Sequence, residues 1–191
     1  VEEFIQTVKN IAPTFGGINL EDIKAPESFE IERRLVDELN IPVMHDDQHG
    51  TAIISSAALL NALELAGKKA EDMKMVVSGA GSAALACADL YILLGVKLEN
   101  ILMFNSKGLL TKDNPSLSPL QQKYAKDMSQ MTLAEALVGA DIFLGLSSGD
   151  IMSPEMLLTM ADNPIVFAMA NPTPEIDYNL AVATRKDIIM A

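Results

Sequence analysis

Apolar positions divide the chain into short runs that alternate with longer periodic segments. Phe4, Ile5, Val8 and Ile11 recur at helical spacing and predict a helix over residues 1–11, closed by Pro13. Residues 14–20 read as a first strand, with Gly16-Gly17 allowing close backbone approach. Pro26 stands where it can open a helix, and Glu27, Glu30 and Glu32 suit the positive end of its dipole. Phe29, Leu35 and Leu39 give that helix a core side, while Glu30-Ile31-Glu32-Arg33-Arg34 predicts a solvated face. Residues 41–44 form a short apolar run that predicts a brief buried strand. Residues 52–66 are apolar nearly all round, which predicts a helix buried on every side. Gly67 supplies its C-terminal cap, Lys68-Lys69 complement the helix end, and residues 68–72 predict a surface link between two lobes.

From residue 74 onward the alternation is regular. Strands are predicted at 75–77, 100–104, 141–146, 165–169 and 187–190. Helices are predicted at 85–94, 120–128, 133–138, 154–161 and 177–184, with a proline-containing loop at 111–119. Strands alternating with helices predict an α/β fold with a doubly wound parallel sheet. The expected organisation is a Rossmann-like dinucleotide-binding domain at 68–191, preceded at 1–67 by part of a second α/β lobe.

Composition narrows the function classes. The chain has 191 residues, 49% hydrophobic but only 5% aromatic and without Trp, so a sizeable core is filled largely by Ala and Met. A net charge of −12 argues against a nucleic-acid or membrane-surface partner. The one cysteine, Cys87, excludes an internal disulfide and fits a reducing, cytoplasmic setting; its apolar helical context predicts a small core residue. No signal peptide is visible, and no uncharged run reaches membrane-spanning length. The first residue is not Met and the last residues read as a buried strand, so a piece of a longer chain is expected.

The candidate chemistry lies at strand ends. Met75-Val76-Val77 is followed by Ser78-Gly79-Ala80-Gly81-Ser82-Ala83-Ala84, a G-x-G-x-x-A pattern between a strand and a helix. Gly79 permits the tight turn, Gly81 lets a pyrophosphate reach the backbone, and Ala84 is small enough for helix–strand packing. Amides of Ser82 and Ala83 and the helix dipole would then hold the phosphates. Asn105-Ser106-Lys107 fall where a ribose-binding acid is expected, about 20 residues past the glycines. Asn105 carries no charge to repel a 2′-phosphate and Lys107 adds a cation, so either NAD or NADP is expected, leaning slightly to NADP.

Two acid pairs close the earlier strands. Asp46-Asp47 follow residues 41–44, and Glu21-Asp22 follow the first strand. Adjacent carboxylates repel, and a cation would relieve them. Taken alone, Asp46-Asp47 read equally as a divalent metal site or as a solvated loop with a helix cap. A second pair of the same form favours the metal, and oxygen-only donors suit Mg²⁺ or Mn²⁺.

Gly16-Gly17-Ile18-Asn19-Leu20-Glu21-Asp22 followed by His45-Asp46-Asp47-Gln48-His49-Gly50-Thr51 resembles the malic enzymes, most nearly their short prokaryotic-type branch. The resemblance extends over the whole chain. It implies oxidative decarboxylation of L-malate to pyruvate and CO₂ with reduction of NAD(P), in a homodimer or higher homo-oligomer. It places the Mg²⁺ or Mn²⁺ ligands at Glu21, Asp22 and Asp47, with Asp46 in a supporting catalytic role. It matches Asn171 of Asn171-Pro172-Thr173 to a contact with substrate and nicotinamide. By itself Asn171 reads first as a strand-end turn residue before Pro172. His45 and His49 are expected to orient or support rather than to ligate. The family's Lys base and Tyr acid are expected upstream of Val1. Where the family usually has Asp this chain has Asn105, which bears on cofactor choice. Two rival functions remain: a malolactic enzyme, which would release lactate, and a nucleotide-binding module without catalysis.

Overall fold

The computed structural model describes residues 1–191. The chain opens with helix α1 (Glu2–Ile11), strand β1 (Ile18–Leu20), helix α2 (Glu27–Glu38), strand β2 (Val43–His45) and helix α3 (Asp46–Ala66). Strands β1 and β2 pair in parallel, with Leu20 opposite His45. This small lobe is closed by Ile5, Val8, Leu20, Ile31 and Leu35. The strand expected over 14–20 is shorter than predicted, because Ala12–Thr14 turn as a short 3₁₀ helix. Ile31, read as part of a solvated run, is instead buried, three and four residues from the buried Ser28 and Leu35 on one face of α2.

A six-stranded sheet follows: β3 (Met75–Ser78), β4 (Ile101–Asn105), β5 (Gly108–Leu109), β6 (Ile142–Gly145), β7 (Ile165–Ala168) and β8 (Ile189–Met190). Its order is β5-β4-β3-β6-β7-β8, parallel throughout except for β5. The first of these strands in sequence is therefore central, and the order reverses on either side of it. Helix α4 (Ser82–Leu93) and the shorter α5 (Pro119–Gln122), α6 (Leu133–Leu137), α7 (Pro154–Leu158) and α8 (Tyr178–Thr184) complete the fold.

The strands are apolar without alternation because both sheet faces are covered. Met75, Val77, Ile142, Leu144, Ile165 and Phe167 face a core shared with α3 and α4. Val76, Phe143 and Val166, one residue out of phase, face a second core shared with α6, α7 and α8. Each such fully buried side chain contributes about 1.5–3 kcal/mol of transfer free energy.

Helix α3 departs from expectation in its start and in its burial. It begins at Asp46, so the second acid pair forms the first helical turn and does not precede it. Nor is it buried all round. Ala52, Ser55, Ser56, Leu59, Ala62 and Leu63 face inward, their small side chains allowing close approach to α4. Ile53, Ile54, Leu60 and Leu65 are exposed, Leu65 at 78%. Gly67 caps the helix at φ 66° as predicted. Lys68, expected in a surface link, is mostly covered and pairs at 2.7 Å with Asp141, which also accepts the Lys74 amide at 2.9 Å. The helix predicted over 120–128 shortens to Pro119–Gln122. The chain beyond it turns back so that Lys126 donates its amide to Leu110 at 2.9 Å.

Candidate functional site

The glycine-rich turn between β3 and α4 floors a cleft of about 990 Å³. Gly79 has φ +121°, and a Cβ there would stand 2.5 Å from the Leu146 carbonyl oxygen, so this position admits only glycine. Its N–H donates to the Phe104 carbonyl at 2.9 Å, tying the turn to the end of β4. Gly81 is extended, and a Cβ added there would meet nothing within 4 Å. That open space lies directly before α4, where the first amides lack intrahelical partners. Open space before free helix amides, at the positive end of the dipole, suits a pyrophosphate. Ser82 and Ala83 are half-buried in the first turn, and Ala84 is 1% exposed within the core. Gln121 Nε2 donates to the Ala80 carbonyl at 2.9 Å and fixes the turn from the side.

Asn105, Ser106 and Lys107 line the same cleft, with Ser147 and Ser148 beyond the opposite side of β3. The sequence suggested no hairpin here, yet β4 folds back through these residues into β5. Asn105 Oδ1 accepts the Lys107 amide at 2.8 Å, so Asn105 caps the turn while its Nδ2 carries no partner. Gln130 holds the hairpin through Nε2, donating to the Leu109 carbonyl at 2.9 Å and to Thr111 Oγ1 at 3.0 Å. Lys107 pairs with no carboxylate.

The acid pairs occupy one end of the two-stranded sheet. Because Leu20 lies opposite His45, Glu21 and Asp46 leave the two strands side by side. Asp22, at φ 55°, donates its backbone N–H to Asp47 Oδ2 at 3.0 Å. Glu21 accepts a long hydrogen bond of 3.4 Å from Asn19 Nδ2. Asp46 packs against Gly50 one turn on, where any Cβ would collide with its carboxylate. None of the four carboxylates pairs with Lys or Arg. All of this suits a hard cation by donor chemistry, although no three His, Cys, Asp or Glu side chains are grouped so as to hold one. Glu21, Asp22 and Asp47 are thus neighbours, not a closed coordination shell.

Behind them lies a network that the sequence did not reveal. Glu32, expected on a solvated face, accepts the His45 amide at 2.9 Å and Gln48 Nε2 at 3.2 Å, and stands 2.8 Å from His49 Nε2. Its place beside the buried Ile31 was the available signal. His45 is fully buried. The Gln48 amide group that donates to Glu32 also lies 2.8 Å from His45 Nδ1, so one side chain links Glu32 to the buried imidazole. The ring's Nε2 lies 3.3 Å from Asp47 Oδ2, close enough for attraction but without hydrogen-bond alignment.

Asn171 follows β7 and is exposed at a cis Asn171–Pro172 peptide. Cys87 is buried beside Ser55; burial pushes its thiol up and the Ser55 hydroxyl opposes this more weakly, as suits a core residue and not a nucleophile. No helix is long and apolar enough to cross a membrane.

Comparison with known proteins places this architecture. The family profile "Malic enzyme, NAD binding domain" matches residues 48–189, and "Malic enzyme, N-terminal domain" matches residues 1–36. The chain is 52% identical over 190 residues to an NADP-dependent malic enzyme of Halomonas elongata, covering 100% of this chain and 45% of that protein. It is 50% identical over 191 residues to an NAD-dependent malic enzyme of Rhizobium meliloti, covering 100% of this chain and 25% of that one. The crystal structure of an NAD-dependent malic enzyme from Thermotoga maritima superposes with a TM-score of 0.90 at 43% identity, over 99% of this chain and 52% of that one. The chain thus spans between a quarter and about half the length of these relatives. On its sequence, its sheet and its glycine-rich cleft, the chain belongs to the malic enzyme family.

Proposed function

We propose that the protein to which this chain belongs oxidises L-malate with NAD or NADP and releases pyruvate and CO₂, with Mg²⁺ or Mn²⁺ held by Glu21, Asp22 and Asp47. The observation that carries the reading is the set of carboxylates at the ends of β1 and β2, without Lys or Arg partners, in one chain with an open glycine-rich cleft. A module that only binds nucleotide has no use for those uncompensated acids.

The chain's own residues have separable tasks. Gly79, Gly81 and the first turn of α4, including Ser82 and Ala83, seat the pyrophosphate, and Ala84 packs that helix against the sheet. Asn105, Ser106 and Lys107 face the adenosine ribose. Asn171 orients substrate and nicotinamide at the end of β7. A bound divalent cation would act as a Lewis acid, polarising the C2 oxygen of malate and stabilising negative charge as CO₂ leaves. Asp47 is held towards that site by the Asp22 amide, and Asp46 supports it from the helix turn above Gly50. A bound nicotinamide would supply the acceptor for the C2 hydride, and Asn171 at the end of β7 would orient the ring and the substrate for it.

Relatives named for NAD and for NADP are both near in sequence, which supports a nicotinamide dinucleotide, and dual use is our reading of Asn105 and Lys107. We further propose a homodimer or higher homo-oligomer in the cytoplasm. The test is the complete protein with L-malate, Mn²⁺ and each dinucleotide. Pyruvate and reduced dinucleotide should appear in equal amounts; lactate without free reduced dinucleotide would instead identify a malolactic enzyme.

A further inference from the structure

Between the ends of β6 and β7 lies a carboxylate with no part in the chemistry above. Glu175 is 0% exposed and pairs with no Lys or Arg. Its Oε1 accepts the Ser147 N–H at 3.1 Å, and its Oε2 accepts the Ala170 N–H at 3.1 Å. Ser147 lies just past β6 and lines the cleft; Ala170 lies just past β7 and precedes Asn171. The carboxylate occupies space left by Gly145, where a Cβ would stand 2.5 Å from Oε2 and 2.6 Å from Oε1. The backbone carbonyl of Glu175 also accepts the Met152 N–H at 2.9 Å, and Ser147 Oγ lies 2.8 Å from Ser78 Oγ. One side chain therefore spans two strand-end loops and, through Ser147, reaches the strand that leads into the glycine-rich turn.

Burying a carboxylate without a cation is costly, and hydrogen bonds to backbone amides are what offset it. An apolar side chain would fill the volume at less cost but would fix neither loop. The dinucleotide's ribose end faces Asn105 beyond β4, so its other half extends across β3 towards β6 and β7, as strand order requires in such sheets. We propose that Glu175 is a positioning residue that sets the spacing of the loops bearing Ser147 and Asn171, and with it the seat of the cofactor's nicotinamide ring. This rests on the nucleotide reading of the cleft.

The test uses the complete protein carrying Glu175→Gln, with affinities for NAD⁺, NADP⁺ and ADP-ribose measured by calorimetry. ADP-ribose has the adenosine and pyrophosphate but no nicotinamide. The Gln amide nitrogen meets one of the two backbone N–H groups and releases that loop. Binding of whichever dinucleotide is preferred should weaken by about tenfold, the loss expected for one charge-assisted bond, while ADP-ribose affinity stays unchanged. Equal losses for both ligands, or no loss for either, would overturn the proposal. A wild-type protein that binds none of the three would overturn the nucleotide reading and this inference with it. Should the variant fail to fold, the wild type suffices. The amide protons of Ser147 and Ala170 should be protected together against hydrogen exchange and should both gain protection on binding the preferred dinucleotide but not ADP-ribose; independent behaviour, or equal gains with both ligands, would remove the bridge.

Discussion

The backbone N–H of Asp22 reaches Asp47 Oδ2 at 3.0 Å across a sequence separation of 25 residues, joining the two acid pairs through one bond. The left-handed backbone of Asp22 is what turns its amide towards the helix carrying Asp47. Asp47→Ala should therefore remove a proposed ligand and release the partner segment together. In the complete protein, titration with Mn²⁺ should show affinity reduced by at least about a hundredfold, the effect of losing one charged ligand from a small oxygen set. Unchanged Mn²⁺ affinity would take Asp47 out of the site.

The two glycines of the turn predict opposite outcomes. Gly79→Ala forces a side chain into the Leu146 carbonyl at an unfavourable positive φ, and should cost more than about 2 kcal/mol of stability. Gly81→Ala meets open space at negative φ, so stability should change by less than about 0.5 kcal/mol. Its methyl would nevertheless stand where phosphate approaches, and dinucleotide affinity should fall by more than about tenfold. Denaturant melts and binding titrations of the two variants separate the roles. A Gly81→Ala protein with normal affinity would move the pyrophosphate elsewhere.

Asn105→Asp should shift cofactor preference. The new carboxylate would lie in the cleft at the proposed ribose seat, accepting its hydroxyls and repelling a 2′-phosphate, against which Lys107 offers a partly screened cation. The ratio of kcat/KM for NAD to that for NADP should rise by about five- to tenfold, equivalent to about 1 kcal/mol. An unmoved ratio means that Asn105 only caps its turn.

Asp187 provides a pH-dependent stability signal away from the cleft. The Arg185 guanidinium bonds its carboxylate through Nε at 2.8 Å and Nη2 at 2.9 Å, and holds the carboxyl well below the usual Asp range; the Asn163 amide adds to this more weakly. A folded-state value below the unfolded one means the contribution is complete above about pH 4 and is lost as pH falls further. Asp187→Asn should thus lower Tm at pH 7, and the gap from wild type should narrow as pH drops from 4 towards 2. A gap that is constant across that range would show that the pair contributes no linkage.

What could be read from the chain was local. The glycine-rich turn, the strands apolar on both faces and the Gly67 cap each depend on residues adjacent in sequence, and each was legible. Ile31 and Glu32 were misread because a charged run masked the 3.6-residue stripe of Ser28, Ile31 and Leu35. The β4–β5 hairpin was missed because its support is the Gln130 side chain, which arrives from 21 residues away. Glu175 gave no signal for the same reason: its meaning comes from Gly145, Ser147 and Ala170, which only the sheet brings together. The acid pairs were legible as pairs, but their register across β1 and β2 was not.

The central place of β3 has a consequence for how the protein is made. It is the first of the six sheet strands to leave the ribosome, yet both of its edges are meant to be covered. One edge finds its partner once Ile101 has been added, and the other waits until Ile142. At roughly 5–20 residues per second, the nascent chain holds a bare apolar edge for several seconds. During that interval the β3–α4–β4 unit, closed by local contacts, is the piece able to form first, and the strand edge later taken by β6 is the one left open to pairing with another chain.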